Sequence, residues 1–158
     1  MSVTCLSESR RYAVTPQRAF AVLMPFPLEQ LFSRRHVLLP PVRGTRDAPA
    51  TWDAVGQTRT VVLADGGRMT ETLTEVDPPR SFDYRLTGFR GPLAPLTSLV
   101  EGRWSVDPDG DGGCRITWTW RIHRRMPLGL VGLPVLTRFW NGYAAKALEE
   151  LDRHLRTD

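Results

Sequence analysis

The sequence predicts an α+β protein in which one seven-stranded antiparallel sheet packs against a long C-terminal helix. Two observations carry this prediction. Apolar and polar residues alternate with a period of two from about residue 42 to residue 123, which is typical of strands with one buried face. After residue 134 the apolar residues recur every three or four positions, which is typical of an amphipathic helix.

The N-terminal segment predicts a strand followed by two short helices. Residues 3–14 are the expected strand, and the segment TPQRAF begins a helix with Thr15 as its N-cap and Pro16 as its first residue. Pro25 and Pro27 end that helix, because proline lacks the N–H that a helix interior needs. The second short helix is expected over residues 28–32.

Six further strands are expected at about 42–46, 55–63, 69–76, 81–88, 98–106 and 114–123. The segments between them, such as ADGG, DPPR and DPDGDGG, have the composition of turns. Because these connections are short, neighbouring strands are expected to pair antiparallel as a meander. The C-terminal helix is expected to begin at Pro134 and to be about 33 Å long, at ~1.5 Å per residue over about 22 residues.

Composition indicates one globular domain over residues 1–158, with 41% hydrophobic and 24% charged residues. The chain lacks both an apolar run of the ~18 residues that span a membrane and an N-terminal signal pattern, so a cytoplasmic location is expected. The net charge of +4 comes from dispersed arginines, so no nucleic-acid partner is expected. A monomer or a homodimer is expected.

No metal site and no cofactor are expected from the spacing of the possible ligands. Cys5 and Cys114 are isolated, and the three histidines lack the spacing of metal ligands. The segment DPDGDGG resembles the start of a calcium-binding loop, whose twelfth position needs a bidentate Glu but is Trp118 here. A polar hairpin loop is the simpler interpretation.

Large aromatic residues are concentrated on the face of the sheet that is expected to pack towards the helix. Alternation along the last three strands places apolar residues on this inner face and Thr, Arg and Asp on the outer face. The aromatic residues either fill an ordinary core or line a ligand cavity, and both alternatives stay open. The candidate ligand-binding residues in this group are Phe82, Tyr84, Trp104, Trp118, Trp120, Phe139, Trp140 and Tyr143.

One hairpin places charged residues among inner-face apolar residues. If residue numbers that sum to an even value pair across ADGG, Arg59 and Glu71 share a face with Val61 and Leu73. Two such buried charges must pair, because an unpaired buried charge costs several kcal/mol. In that register they are the best polar anchor for a ligand, together with Gln57. After a register slip they form a surface pair instead.

The meander also places two apolar loops at one end of the sheet. The loop 89–97 and the connection 124–133 share an end with the ADGG turn, whereas the opposite end is polar. An apolar end of this kind predicts a lid over a cavity, or contact with a partner or a membrane. The apolar residues in these loops are Phe89, Pro92, Leu93, Pro95, Leu96, Met126, Leu128, Leu130, Val131 and Leu133.

The order of elements and several segments resemble the SRPBCC superfamily, which includes START domains, polyketide cyclases/dehydrases and birch-pollen-type allergens. The similar segments are TPQRAFAVL, WDAVGQTRTVVLADGGRMTETLTEVDPPRSFDYRLTG, EGRWSVDPDGDGGCRITWTW and ALEELDRHL. Among them DPPRSFDYRL is especially similar to bacterial polyketide cyclase/dehydrase-type members. The resemblance implies the helix-grip fold, in which a curved sheet wraps around the C-terminal helix and leaves a deep cavity between them.

The resemblance and the aromatic inner face together predict binding of a small hydrophobic or aromatic molecule, lipid- or polyketide-like, in that cavity. The alternative is an aromatase/cyclase or dehydratase that acts on a polyketide-type substrate without a cofactor. By position, Arg59, Glu71, Tyr84 and Tyr143 are the candidate catalytic residues, and His123 is a further acid–base candidate. A third class, a module that binds RNA or a protein through the apolar loops and arginines, is ranked last.

Overall fold

The structure is a computed structural model that describes residues 3–36, 39–125 and 129–156, with only the main chain over 129–133. In chain order its elements are β1 (Val3–Tyr12), α1 (Pro16–Leu23), α2 (Leu28–Leu31), β2 (Val42–Arg46), β3 (Thr58–Leu63), β4 (Arg68–Asp77), β5 (Ser81–Arg90), β6 (Thr97–Pro108), β7 (Cys114–Arg124) and α3 (Gly129–Arg156).

All of these strands form one antiparallel sheet in the order β1-β7-β6-β5-β4-β3-β2. Strands β2 to β7 are a meander of hairpins, and β1 pairs with β7 from Val3 opposite His123 to Tyr12 opposite Cys114. The predicted fold class, α+β with a seven-stranded antiparallel sheet and a long C-terminal helix, is confirmed. Irregularities at residues 68–70 and 73–75 interrupt the ladder between β4 and β5, and such bulges bend a strand.

The two short helices follow β1 as the sequence predicts. The Thr15 hydroxyl accepts a hydrogen bond from the main-chain N–H of Arg18 at 3.2 Å, and Pro16 is the first residue of α1. This cap supplies a partner to one of the N–H groups that the first helical turn leaves unpaired. α1 then buries Phe20 and Leu23 against the inner face of the sheet, where β6 is its neighbour.

The C-terminal helix is longer than the sequence predicts. α3 begins at Gly129 and not at Pro134, which lies inside the helix. Its 28 residues correspond to about 42 Å at ~1.5 Å per residue. The prediction was wrong because a proline close to the N-terminal end of a helix removes one hydrogen bond, and this loss does not prevent further helical residues before it.

α3 crosses the inner face of the sheet and is fastened most closely at β1. Tyr12 on β1 donates a hydrogen bond to the main-chain carbonyl of Leu148 at 2.6 Å. Arg10 on the same strand pairs with Asp152 at 2.9 Å. Tight packing of α3 on β1 and β7 leaves the space between the helices and β3–β5 less completely filled, and the cavity described next lies there.

Candidate functional site

A cavity of about 100 Å³, called the inner cavity below, lies between the sheet, the two short helices and α3. Its wall is mostly apolar, with side chains such as Leu23, Met69 and Leu86. The predicted site residues that line it are Arg59, Glu71, Phe82, Tyr84, Trp104, Trp118, Trp120, Trp140 and Tyr143. The sheet and α3 thus bring most of the predicted residues together around one space.

Arg59 on β3 and Glu71 on β4 form a buried ion pair at the wall of the inner cavity. They lie directly opposite each other in the ladder, as the even-sum register predicts. Arg59 Nε donates a hydrogen bond to Glu71 Oε1 at 2.7 Å, and the two side chains are 10% and 5% exposed. The alternative of a surface pair after a register slip is therefore wrong.

The surroundings of this ion pair affect its chemistry. Burial raises the pKa of the Glu71 carboxyl group, and the adjacent Arg59 guanidinium opposes this shift. The guanidinium carbon of Arg59 also lies 4.0 Å from the centre of the Trp52 ring, in a cation–π contact. Among the described residues only Nε of Arg59 has a hydrogen-bond acceptor, so its other N–H groups are available to a ligand.

Tyr84 lies flat across the sheet because Gly102 has no side chain. Tyr84 on β5 is opposite Gly102 on β6, and Gly102 is opposite Trp120 on β7. A Cβ atom at Gly102 would overlap the Tyr84 ring. Strands lie about 4.8 Å apart, so only a side chain that passes over the middle strand can reach the third one. The glycine therefore determines where the tyrosine hydroxyl lies.

Two tryptophans of β7 bind the hydroxyl of Tyr84. Trp118 Nε1 donates to the Tyr84 oxygen at 2.7 Å, and Trp120 Nε1 donates to it at 3.0 Å. Burial and, to a smaller degree, the Glu71 carboxylate raise the pKa of Tyr84, although the two indole hydrogen bonds lower it. The hydroxyl therefore stays protonated at neutral pH.

The indole rings pack into one cluster. Trp104 and Trp118 are stacked, with ring centres 5.0 Å apart and an interplanar angle of 8°. Trp140 on α3 lies 4.8 Å from Trp118 and 5.9 Å from Trp120, measured between ring centres. These rings are both core and cavity wall, so the two alternatives left open by the sequence apply to the same residues. The indole Nε1 of Trp140 is buried and has no hydrogen-bond partner within the described part of the chain.

Tyr143 faces the inner cavity from α3, and its hydroxyl has a structural partner. The hydroxyl donates a hydrogen bond to the main-chain carbonyl of Pro40 at 2.8 Å. Its ring stacks on Phe32, with ring centres 5.4 Å apart and an interplanar angle of 11°. Burial raises the pKa of Tyr143, so this hydroxyl is neutral as well. Tyr143 holds the segment after α2 against α3.

Two predicted ligand-binding residues lie elsewhere. Gln57 accepts hydrogen bonds from the main-chain N–H groups of Asp53 and Ala54 at 2.8 and 3.0 Å, so it closes a turn instead of joining the ion pair. The same turn delays the start of β3 from residue 55 to Thr58, because side chains that bind nearby main chain compete with strand pairing. Phe139 lies beside His36, outside the wall of the inner cavity, and lines the adjoining mouth recess.

His123, the further acid–base candidate, also lies away from the inner cavity. Its Nε2 atom is 2.7 Å from Glu101 Oε1, and both residues are on the neighbouring strands β6 and β7. Odd-numbered residues of these two strands, such as Arg103 and Thr119, face outwards, and His123 follows the same alternation.

Several residues of the cavity wall escaped the sequence analysis. Met24, Phe26, Leu31 and Phe32 contribute apolar surface from α1, α2 and the residues beside them. The apolar periodicity of that segment was the signal that could have placed them against the sheet. Trp52, which covers Arg59, lies between strands, and no periodic pattern marks it.

A mouth recess of about 190 Å³ adjoins the inner cavity at the end of the sheet that carries the ADGG turn. It shares Leu63, Met69 and Leu93 with the inner cavity, and Pro92 and Leu96 also line it. The prediction that the 89–97 loop meets the ADGG turn at an apolar end is confirmed. Phe89 and Pro95, also predicted for this end, are described but do not line the recess. The remaining predicted residues lie outside the described residues or side chains: Met126, Leu128, Leu130, Val131 and Leu133.

A side groove of about 530 Å³ adjoins the other side of the ion pair, between residues 20–29 and 45–53. Arg59 lines both this groove and the inner cavity, and Trp52 lines the groove alone. Glu29 and Asp53 add acidic side chains to its rim. The ion pair therefore separates an apolar space from a more polar one.

Metal-binding clusters and membrane helices are both absent from the described ranges. No group of three or more His, Cys, Asp or Glu side chains there is arranged to hold a metal ion. None of the helices in those ranges combines the length and the apolar character needed to cross a membrane.

The fold and the cavity can be compared with known proteins. Residues 3–156 match the family described as polyketide cyclase/dehydrase and lipid transport. The chain belongs to this family. The predicted resemblance to the SRPBCC superfamily is thereby confirmed. No curated protein sequence matches the chain.

Solved structures that share the fold of this family member differ widely from it in sequence. Norcoclaurine synthase from Thalictrum flavum, in complex with dopamine and hydroxybenzaldehyde, is 14% identical, with a TM-score of 0.73 over 99% of this chain and 88% of that one. Ara h 8.0201 is 15% identical, with a TM-score of 0.67 over 99% and 100%. Major latex-like protein 151 from Panax ginseng is 11% identical, with a TM-score of 0.69 over 96% and 97%. These similarities confirm the helix-grip fold and say nothing of ligand or reaction.

Proposed function

We propose that this member of the polyketide cyclase/dehydrase and lipid transport family binds a small aromatic or hydrophobic molecule in the inner cavity. The observation that carries the proposal is an apolar space enclosed by large aromatic side chains and interrupted by few polar groups. Ligand sites in proteins have this composition, because apolar surface supplies affinity and a few polar groups fix orientation. Norcoclaurine synthase, which shares the fold, has been solved with two small aromatic molecules.

The volume of the inner cavity limits what it accepts. An apolar cavity of about 150 Å³ in another protein holds one benzene molecule. The inner cavity has about 100 Å³ and is smaller than that, so it holds at most part of one ring unless the ligand also uses adjoining space. A longer ligand extends into the mouth recess of about 190 Å³, whose wall is continuous with that of the inner cavity.

The expected affinity is modest. Small ligands gain roughly 0.3 to 1.5 kcal/mol per non-hydrogen atom. At about 0.5 kcal/mol per atom, a ten-atom aromatic molecule binds with a Kd of about 0.1 to 1 mM. Longer lipid- or polyketide-like molecules that also fill the mouth recess bind more tightly on the same scale.

Tryptophan fluorescence is a direct readout for this binding, because four of the five tryptophans line the inner cavity. Titration with naphthalene and with 2-naphthol is expected to change the emission in a saturable way. Val61→Phe adds a ring inside the cavity, where Val61 is buried, and is expected to weaken binding at least about tenfold. Val55→Phe makes the same change at a position that is 62% exposed and is the control. Equal binding by both variants would place the ligand elsewhere.

A cyclase or dehydratase activity is the second candidate, favoured by Arg59, Glu71 and Tyr84 meeting at one apolar cavity. A carboxylate whose pKa is raised by burial removes a proton from a carbon beside a carbonyl more readily. The free N–H groups of Arg59 stabilise the enolate oxygen that results. The enolate carbon then attacks a second carbonyl, which closes the ring, and the proton on Glu71 passes to the new alkoxide oxygen. Loss of this hydroxyl together with a hydrogen from the adjacent carbon releases water and forms a C=C bond in the ring.

A linear poly-β-ketone is the substrate with which to test this second candidate. Glu71→Gln is expected to keep ligand binding and to lose turnover, because the amide keeps the hydrogen bond to Arg59 but takes no proton. Tyr143→Phe is expected to keep both ligand binding and turnover, because the Tyr143 hydroxyl is already bound to the carbonyl of Pro40. Unchanged cyclisation by Glu71→Gln would remove Glu71 from the mechanism.

We also propose a cytoplasmic monomer or homodimer that works without a cofactor. Both cysteines are free, with Cys5 exposed and Cys114 buried, as in proteins of a reducing compartment. Light scattering of the purified protein measures the oligomeric state, and mass spectrometry of the native protein detects any bound cofactor.

A further inference from the structure

This inference rests on the proposed function and names the class of ligand. We propose that the inner cavity selects aromatic molecules that carry an acceptor oxygen, such as a ketone carbonyl. The Tyr84 O–H and the Trp140 N–H are the groups that bind this oxygen. A hydrocarbon of the same shape lacks the acceptor and is therefore selected against.

The hydroxyl oxygen of Tyr84 already accepts two hydrogen bonds, whereas its hydrogen is not donated to any described residue. A phenol oxygen has one hydrogen to donate and two lone pairs to accept with. Trp118 and Trp120 donate to that oxygen at 2.7 and 3.0 Å. No described residue accepts the hydroxyl hydrogen in return, so the one remaining interaction of Tyr84 is donation to a ligand.

The indole N–H of Trp140 is the second donor. Trp140 is 1% exposed, lines the inner cavity, and its Nε1 atom has no partner within the described ranges. A buried donor without an acceptor is uncommon, because leaving it unpaired costs free energy. Its ring packs against Trp118 and Trp120, the two indoles that hold Tyr84, so the two donors belong to one aromatic cluster in the cavity wall.

The other polar groups of the cavity wall do not compete for this role. The Tyr143 hydroxyl donates to Pro40, and the indole N–H groups of Trp118 and Trp120 are given to Tyr84. Arg59 Nε donates to Glu71, and its guanidinium packs on Trp52 at the side groove, so its remaining N–H groups belong to the ion-pair end of the cavity wall. An acceptor oxygen beside Tyr84 and Trp140 therefore gains up to two hydrogen bonds that a hydrocarbon cannot form.

Acetophenone and α-methylstyrene are the probes, because they differ only by C=O against C=CH₂. The affinity of each for the wild-type protein is divided by its partition coefficient from water into hexadecane, which removes the difference in hydrophobicity. The corrected preference for the ketone is expected to be about tenfold to hundredfold. Equal corrected affinities overturn the inference and leave the proposed function standing, whereas no binding of either probe overturns both.

The variants separate Trp140 from the general polarity of the cavity. Trp140→Phe is expected to lower the corrected preference about threefold to tenfold, and Tyr143→Phe to leave it unchanged. Because both probes enter the same enlarged cavity of Trp140→Phe, the ratio is independent of the space created. Tyr84→Phe is unsuitable here, since it frees two indole N–H groups that can replace the lost donor. An unchanged preference in Trp140→Phe removes Trp140 from the proposal.

Discussion

Tyr84 and Tyr143 face the inner cavity from opposite sides, and their hydroxyl groups are used in opposite ways. On the sheet, the Tyr84 oxygen accepts two indole N–H groups and keeps its hydrogen. On α3, the Tyr143 hydroxyl gives its hydrogen to the main chain at Pro40. Burial raises the pKa of both, so neither burial nor pKa distinguishes them.

The difference teaches that the hydroxyl of a buried tyrosine is a candidate for ligand binding only when its hydrogen has no acceptor within the protein. The sheet side of the cavity is built from side chains that bind other side chains, as Arg59 does with Glu71. The helix side is tied to a main-chain carbonyl, as Tyr143 is to Pro40. The sheet side therefore keeps polar groups that can exchange partners.

Arg59→Leu is expected to give the largest effect, because it removes one member of a buried pair on the sheet side. The free energy of unfolding should fall by about 3 to 5 kcal/mol, measured by urea denaturation. Arg80→Leu breaks the exposed pair with Asp77 and should leave the free energy of unfolding almost unchanged, because solvent screens such a pair. Replacing Arg59 and Glu71 together by leucine should restore most of the loss. If Arg59→Leu and Arg80→Leu lower the free energy of unfolding equally, the ion pair of Arg59 is not buried.

Gly102→Ala tests whether the position of Tyr84 depends on the empty space above Gly102. The added methyl group overlaps the Tyr84 ring, so the ring must move and both indole hydrogen bonds are disturbed. The expected loss is about 2 to 3 kcal/mol, with a change in near-ultraviolet circular dichroism. Gly44→Ala is the control, because nothing lies within 4 Å of a Cβ atom there. A Gly102→Ala protein as stable as Gly44→Ala would falsify the close contact.

Removing each hydroxyl in turn compares the two tyrosines directly. Tyr84→Phe leaves two buried indole N–H groups without an acceptor and should cost about 2 kcal/mol or more. Tyr143→Phe leaves one main-chain carbonyl without a donor and should cost about 1 kcal/mol. Urea denaturation of the two variants side by side gives the difference, and the reverse order of stability contradicts the assigned partners.

Alkaline titration shows where the two tyrosines behave alike. All three tyrosines, including Tyr12, have a pKa raised by burial above the ordinary value of 10.0. Each therefore contributes stability that is fully present below pH 10 and is lost as the pH rises above it, since only the unfolded chain ionises there. Each tyrosine should contribute about 1.4 kcal/mol per pH unit to this loss. Tyrosinate absorbance that rises near pH 10 before unfolding contradicts the burial.

Strand parity predicted that Arg59, Glu71, Trp118 and Trp120 share the cavity wall. The pairing of Arg59 with Glu71 follows from the even sum of their numbers across a short turn, and the ladder confirms it. Trp118 and Trp120 were placed on the inner face by the same alternation. Alternation also placed Gln57 on this face, but its side chain binds the main chain of its own turn, a local competition that alternation does not reveal.

Hydrogen-bond and packing partners that lie far apart in the sequence could not be predicted from it. The hydroxyl of Tyr143 binds a carbonyl 103 positions away, and no periodic pattern connects Tyr143 with Pro40. Trp52 covers Arg59 from a segment between strands, where neither a period of two nor a helical period applies. These contacts depend on how the chain crosses the sheet, so only the folded structure distinguishes Tyr84 from Tyr143.

The carbonyl stretching frequency of acetophenone bound to the protein tests the central claim most directly. Hydrogen bonds to the oxygen lower this frequency, so a ketone in an apolar cavity without donors absorbs as it does in an alkane solvent. With Tyr84 and Trp140 as donors, the band of the bound ketone should lie at or below its position in water. An alkane-like band, or no bound ketone at all, would contradict the account.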